Sequence, residues 1–389
     1  MIVLHLIRKK SQLRASFIKN QISVYENYSP VIGYLTDKSG SDFDGGFANI
    51  AECKADIHRL STFKRKKDKF IYKYLLASGK EGRKSLIKLL GKIKPDIIHL
   101  HYGSDAGIFL PVIKNYGIPK IVSFYGYDCS SFPKTYFGIG AAYLRTRVFK
   151  IADAVLAMSP DMYNDLINIG CPEHKIKVHY HGIPVKKWIT NREIKKNNRT
   201  INFLMIAGLV PKKGHLFLLE AFSRAVMSNN NIRLNIVGEG DLRSIIERGI
   251  IKRNMQNYIR LSGPVQYGSK AHIDLLKEGD VFIHPSLTDD EGDKEGIPGS
   301  IVEAMAAGLP VISTFHGGIP FVIEHNTSGL LVEENDIDAL VGAILELSNS
   351  PQLRYRLGLS ASDYAIKNLD IEKMALEREL IYNSFVRKV

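Results

Sequence analysis

The chain has 389 residues, 45% of them hydrophobic and 24% charged, which excludes a disordered, collagenous or disulfide-rich polypeptide and suits two domains of roughly 150–200 residues each. Its 53 Lys+Arg and 40 Asp+Glu give a formal charge of +13. Residues 1–200 hold 34 basic and 16 acidic residues, net +18, and the remainder is net −5, so the N-terminal half is expected to meet something large and anionic while the C-terminal half does other work.

Short apolar runs alternate with longer helical patterns along most of the chain, which predicts βα units and parallel sheets. Met1–Ile7 is apolar but is cut off by Arg8-Lys9-Lys10 and lacks a basic leader and a small-residue cleavage site, so it reads as a buried first strand, Ile2–Ile7. Further strands are predicted at Ile97–His101, Ile121–Phe124, Ala154–Ala157 and Lys177–Tyr180. A polar, charged stretch at 191–200 reads as a linker closing an N-terminal domain of 1–190. The pattern then restarts, with strands at Asn202–Ala207, Arg233–Val237, Tyr258–Leu261, Val281–His284 and Pro310–Ser313 in a C-terminal domain of 201–370. A last helix, 371–386, is a candidate to return to the first domain. The expected class is α/β: two doubly wound, Rossmann-like lobes facing a central cleft, with ligands at the carboxyl ends of the strands.

Cys53, Cys129 and Cys171 are odd in number, far apart and in no C-x-x-C spacing, so neither a disulfide framework nor a zinc site is expected and a cytoplasmic setting is the default. No uncharged apolar run approaches the ~18–20 residues that span a bilayer, so membrane contact is expected to be peripheral. The most basic run, 62–76, interleaves Phe63, Phe70 and Tyr74 with lysines, the pattern of a solvated helix face or of a segment lying on an anionic leaflet. A nucleic-acid partner is not expected, because no binding fold is recognisable.

The chemistry concentrates in Glu295-Gly296-Ile297-Pro298-Gly299-Ser-Ile-Val-Glu303-Ala-Met-Ala-Ala-Gly308. Pro298 suits a first helical turn and Gly308 a stop, and the small residues let backbone N–H groups at the helix start approach a diphosphate. Glu303 lies about five residues in, roughly 7–8 Å along the axis, the span from a diphosphate to its ribose, whose hydroxyls it could accept. Glu295, in the loop before the helix, would face the sugar on the other side of the diphosphate.

This arrangement resembles the E-x7-E signature of retaining family 4 glycosyltransferases of the GT-B fold. Ile206-Ala-Gly208-Leu-Val-Pro-Lys-Lys213-Gly214 is similar to that family's G-R-L-x-x-x-K-G segment, and Val237-Gly238-Glu-Gly240-Asp-Leu-Arg243 to its V-G-x-G-x-L-R turn. His284-Pro-Ser286, Gly317-Gly-Ile-Pro-Phe-Val-Ile-Glu324 and Gly329-Leu-Leu-Val332 follow in the family's order. Pro95–Gly103, with His101, and Ser123-Phe-Tyr125-Gly126-Tyr-Asp128 match the first half. The likeness is greatest to the colanic-acid type of exopolysaccharide transferase. Two places depart from it: Ala207-Gly208-Leu209 stands where the family usually has G-R-L, so its arginine is missing, and Tyr125 stands where the family usually has a histidine.

The resemblance implies a hexosyltransferase using a UDP- or GDP-sugar, with no cofactor or metal required and a lipid-linked glycan as acceptor, in surface or exopolysaccharide biosynthesis at the cytoplasmic face of the inner membrane. It places Glu295, Asp128 and Tyr125 among the catalytic groups. The donor would meet Lys213, Glu303, Gly296, Ile297, Pro298, Gly299, Gly208, Gly238 and Gly263, and the acceptor side Gly126 and His101. The alternative is a scaffold of the same fold that binds a sugar nucleotide or an assembly partner without turnover. A dinucleotide-binding reading of Gly238-x-Gly240 fails because Arg243 holds the third glycine position. Asp289–Asp293 lacks EF-hand spacing and reads as a solvated acidic loop, and the pairs His99/His101 and His179/His181 read as hydrogen-bonding histidines.

Overall fold

Strands that are apolar on both faces must be covered on both faces, and two parallel sheets meet that requirement here. The computed structural model describes residues 1–36, 56–59, 80–193 and 200–386. The chain divides into two compact units: Met1–Gly182 with Ile371–Val389, and Ile183–Asp370.

Among the described residues the first unit holds seven strands, β1 (Ile2–Lys9), β2 (Ser29–Thr36), β3 (Asp56–Arg59), β4 (Ile97–His101), β5 (Lys120–Ser123), β6 (Ala154–Ala157) and β7 (Ile176–Val178), in the order β3-β2-β1-β4-β5-β6-β7. All neighbours pair in parallel, with His5 opposite His99 and His101 opposite Ser123. The second unit holds β8 (Ile201–Ile206), β9 (Ile232–Val237), β10 (Ile259–Ser262), β11 (Val281–Ile283), β12 (Val311–Thr314) and β13 (Gly329–Val332), in the order β10-β9-β8-β11-β12-β13. Both orders reverse direction once, between β1 and β4 and between β8 and β11. Such a switch opens a crevice at the carboxyl ends of the strands, and the proposed site residues follow those strands.

The predicted strands recur within a residue or two, the usual fraying of boundaries. Three were not predicted as strands. β2 contains Pro30 and Gly33, which weaken a strand signal, and β3 is a short polar edge strand. β13 coincides with the Gly329–Val332 motif.

Residues 183–190, expected to close the N-terminal domain, and 191–193, expected to open the linker, pack in the second unit. Trp188 is fully buried, its ring 4.7 Å from that of His272 and 5.4 Å from that of Tyr267. Thr190 Oγ1 donates to the Ala307 carbonyl at 2.6 Å, and the Arg192 guanidinium donates to the carbonyls of Ala307 (2.7 Å), Gly279 (2.9 Å) and Leu276. Those carbonyls end two helices, Lys270–Glu278 and Gly299–Ala306, where unpaired acceptors and the helix dipole favour a cation. Polar composition concealed this because arginine serves here as a cap.

The last helix, Ile371–Asn383, belongs to the first unit. Its buried Glu379 accepts from the Glu26 N–H at 2.7 Å and from the Asn27 N–H and Nδ2 at 3.1 and 2.9 Å, and Tyr28 donates to Asn383 at 2.8 Å. These bonds offset the desolvation of a buried carboxylate. The basic run 62–76, and Cys53, lie outside the described residues. Among the described residues no helix is long and apolar enough to cross a membrane.

Candidate active site

The loops after β8, β11 and β12 build a charged cluster in the second unit. Gly214 has φ +70° and a Cβ there would lie 1.9 Å from the Pro285 carbonyl oxygen, so only glycine lets the Lys212-Lys213 turn press against the loop after β11. Lys213 Nζ lies 3.0 Å from Glu295 Oε2, and Lys212 Nζ 3.4 Å from Glu295 Oε1 and 2.9 Å from Asp293. Burial alone would raise the Glu295 pKa, but the charges of Lys213 and then Lys212 outweigh it and hold the group down at about 2. Burial acts the other way on Lys212 and is overcome by Glu295 and Asp293, so its pKa is raised.

A second layer fixes the Glu295 backbone. Its N–H donates to His316 Nε2 at 3.0 Å, which leaves the imidazole proton on Nδ1, 2.6 Å from Glu334 Oε1. Glu334 Oε2 in turn accepts from the Thr288 N–H at 2.7 Å, at the start of the acidic loop. Gly317, at φ +51°, passes so close that a Cβ would lie 2.3 Å from the Glu295 carbonyl oxygen. Within the acidic loop the Asp289 carboxylate accepts from the Glu291 and Asp293 N–H groups, and so serves as a turn former.

Glu295, Gly296 and Ile297 lead into the helix Gly299–Ala306, whose N-cap is Pro298, one residue ahead of the expected first-turn position. The first helical amides, with no intrahelical acceptor, and the helix dipole make this end hospitable to an anion. Ser300 Oγ lies 3.3 Å from the buried His284 Nδ1. Glu303 is the fifth residue of this helix and is 3% exposed. Its Oε2 lies 3.4 Å from His272 Nε2, and burial, only partly offset by Lys187, raises its pKa to about 8. His272 is itself lowered to about 4 by burial and the Lys187 charge. Glu303 therefore carries a proton at neutral pH and can both donate and accept. A Cβ on Gly299 would lie 3.7 Å from Glu303 Oε1, so that flank holds no side chain.

Gly208 is exposed, and its carbonyl accepts from His215 Nε2 at 3.0 Å. Gly238 is required by close approach, since a Cβ there would lie 1.9 Å from the Ala207 carbonyl oxygen. Gly263, just beyond β10, has no atom within 4 Å of where its Cβ would be.

In the first unit, Asp128 is fully buried and its carboxylate accepts from the N–H groups of Gly103 (2.7 Å), Tyr125 (2.9 Å) and Gly126 (3.2 Å). Burial raises its pKa to about 6 against the lowering effect of those bonds. These bonds tie the Tyr125-Gly126 turn to the start of the helix Gly103–Ile113. Gly126 has φ +126°, a conformation that favours glycine in that turn. His101 is fully buried, its pKa lowered to about 3 by burial and then by the Arg378 charge, and its Nδ1 lies 2.6 Å from the Tyr125 hydroxyl.

Two family models match this chain: "Glycosyltransferase Family 4" over residues 42–187 and "Glycosyl transferases group 1" over residues 186–363. The chain thus carries a glycosyltransferase family 4 domain followed by a glycosyl transferases group 1 domain. It is 37% identical over 204 residues to the amylovoran biosynthesis glycosyltransferase AmsK of Erwinia amylovora, covering 52% of this chain and 49% of that one. It is 32% identical over 257 residues to the putative colanic acid biosynthesis glycosyltransferase WcaL of Salmonella typhimurium, covering 65% and 61%. It thus spans about half to three fifths of the length of these two curated relatives. A third relative, 28% identical with 69% and 70% covered, is the UDP-Gal:alpha-D-GlcNAc-diphosphoundecaprenol alpha-1,3-galactosyltransferase of Escherichia coli. Among solved structures, Anabaena Alr3699/HepE in complex with UDP superposes with a TM-score of 0.80 at 16% identity, covering 99% of this chain and 100% of that one. The fold is thereby GT-B, two Rossmann-like units.

Sequence reasoning found Glu295, Glu303 and Lys213, and the structure brings the first and third together. It missed Lys212, which supplies a second cation on Glu295, and the pair His316 and Glu334. The signal for Lys212 was present as a Lys-Lys dipeptide. Nothing in the sequence pairs His316 with Glu334, because their meeting depends on β12 lying beside β13.

Proposed function

We propose that this protein is a retaining glycosyltransferase that moves a hexose from a nucleotide-diphosphate sugar to a lipid-linked glycan during exopolysaccharide assembly. The observation that carries this reading is the Lys213–Glu295 contact at 3.0 Å in the loop leading to the helix Gly299–Ala306, with Lys212 alongside. In this reading the lysines and the helix amides take up the charge of the departing diphosphate, which lowers the barrier to an oxocarbenium-like transition state without a metal. Glu295 orients the sugar hydroxyls, and Glu303 engages the ribose with a carboxyl that can donate as well as accept. Lys212, beside Lys213 on Glu295, makes up for the arginine that the Ala207-Gly208-Leu209 segment lacks. Tyr125, Gly126 and His101 belong to recognition of a sugar hydroxyl, with Asp128 positioning them.

The UDP-bound HepE structure supports a uridine diphosphate donor, with a GDP-sugar as the other candidate, and the diphosphoundecaprenol named for the Escherichia coli relative supports a lipid-linked acceptor. The net +18 of residues 1–200 is suited to an anionic leaflet at the cytoplasmic face of the inner membrane. The test is transfer from a panel of UDP- and GDP-hexoses to polyprenyl-diphosphate-linked sugars, scored for product configuration. Turnover with retention is expected. Tight donor binding without any transfer across the acceptor panel would sink the enzyme reading and leave the scaffold.

A further inference from the structure

Three imidazoles, His5, His99 and His101, lie buried at the switch point of the first sheet with ligand atoms all within 4.8 Å of one another, which is the compactness of a metal site. The hydrogen bonds point elsewhere. His5 Nδ1 and His101 Nε2 are 2.9 Å apart and share a proton, and the rings stack at 23° and 19° rather than aiming radially at one point. The Arg378 guanidinium, fully buried, adds positive charge that lowers the pKa of all three, after burial itself.

Hydrogen positions follow by elimination, starting from Gln21. One of its amide atoms lies 3.3 Å from the Phe17 carbonyl oxygen, which only accepts, so that atom is the nitrogen, and the same Nε2 donates to the Tyr125 hydroxyl at 2.9 Å. Tyr125 therefore gives its own proton to His101 Nδ1 at 2.6 Å. His101 must then carry its proton on Nε2 and donate to His5 Nδ1, and His5 donates from Nε2 to the Tyr25 hydroxyl at 2.6 Å. Tyr25 passes its proton toward the Tyr382 hydroxyl at 3.5 Å, and Tyr382 donates to His99 Nδ1 at 2.5 Å. His99 Nε2 donates to Ser123 Oγ at 2.7 Å, and Ser123 closes the circuit on Gln21 Oε1 at 3.5 Å. Around the circuit each group gives a proton to the next and receives one from the last, and Gln21 Nε2 gives its second proton to the Phe17 carbonyl.

We propose that these eight side chains form a single one-way hydrogen-bond ring that fixes the Tyr125 hydroxyl as a donor toward His101, so that it meets a sugar hydroxyl only as an acceptor. The inference rests, for its functional half, on the reading of Tyr125 as a substrate-recognition residue. Gln21, His5, Tyr25, His99, Ser123 and Tyr382 are then positioning residues, and the ring makes Tyr125 specific for a group that donates. An imidazole at this position could instead turn an N–H toward the ligand.

The test has two arms. Histidine side-chain nitrogen NMR on the full chain reads tautomers without substrate: His5, His99 and His101 should all be neutral and protonated at Nε2, and an Nδ1 proton on any of them overturns the ring. Gln21→Glu removes the amide donor, so Tyr125 should give its proton to the new carboxylate and His101 and His5 should switch to Nδ1–H. Unchanged tautomers in that variant also overturn the ring, and if the variant does not fold the wild-type pattern decides alone. The second arm compares wild type with Tyr125→Phe on deoxyfluoro donors and deoxyfluoro acceptors, because fluorine does not donate. Wild type should disfavour one fluorinated position by at least about tenfold, roughly 1.4 kcal/mol, and Tyr125→Phe should not. The series in which that position falls separates a donor-sugar hydroxyl from an acceptor hydroxyl. Equal discrimination by both proteins, with the tautomers as expected, overturns the recognition role and leaves the ring standing.

Discussion

The two sheets share a strand order and gather polar side chains at corresponding switch points, yet they bury those groups in opposite ways. Around β1 and β4 the hydroxyls and imidazoles are neutral and bonded to one another, with burial and then neighbouring positive charge, the buried Arg378 included, keeping the imidazoles unprotonated. Around β8 and β11 they are charged, with two lysines facing Glu295 and Asp293. A satisfied neutral network is rigid and gains little by changing partners. A partly buried ion cluster carries an unpaid desolvation cost and exchanges readily for a better anion. The first region is therefore built to hold a shape, and the second to receive charge.

Removing a charge from the second region should have the largest consequence. Lys213→Ala is expected to lower kcat/KM for transfer on the order of 10²-fold, the usual cost of losing one preorganised electrostatic donor. The pKa of Glu295 should rise in the same variant, because the first of the two cations that hold it at about 2 is gone. Wild-type turnover in Lys213→Ala would break the contrast. A smaller effect is expected one layer out, where Glu334 holds His316 and His316 holds the Glu295 N–H. Glu334→Ala should lower kcat about tenfold with KM nearly unchanged, in the range found for outer-layer partners of functional groups. Glu334→Gln keeps an acceptor for the imidazole and should restore most of the loss. A general loosening of the fold would move the melting temperature of both variants alike and would not distinguish them.

Much of this contrast was legible before the fold was known, but unevenly. Strand β6 could be read as a short apolar run buried on both faces, and β4, β8 and β9 as short runs dominated by buried Ile, Leu, Val, Phe and Met. Glu295 and Glu303 could be read because seven intervening residues of helix-start composition fix their separation. The opposite states of those two carboxylates could not. Glu295 owes its low pKa to lysines about eighty positions earlier in the chain, and Glu303 its high one to burial that Lys187 only partly offsets. The partners of Asp128 could not be read for the same reason, since a motif shows that an acid is present and not that three backbone amides bond to it. Arg192 looked like linker because capping two helix ends depends on packing that composition does not record.

The smallest effect separates the two carboxylates of the second unit by pH. Glu303 ionises near 4.5 when unfolded and near 8 when folded. Between those values the folded chain holds the proton that the unfolded chain has released, so stability from this group is fully present below about pH 4.5 and is lost as pH rises through about 8. Glu295 has the reverse sign: its contribution is present above about 4.5 and is lost as pH falls through about 2. Glu303→Gln removes the first dependence while keeping a buried polar group of the same shape. Its melting temperature relative to wild type should climb by a few degrees between pH 5 and pH 8.5, at roughly 2–4 °C per kcal/mol. A difference that stays flat across that range would mean that Glu303 is ionised in the folded protein at neutral pH, and that it meets a ribose as a pure acceptor like Glu295.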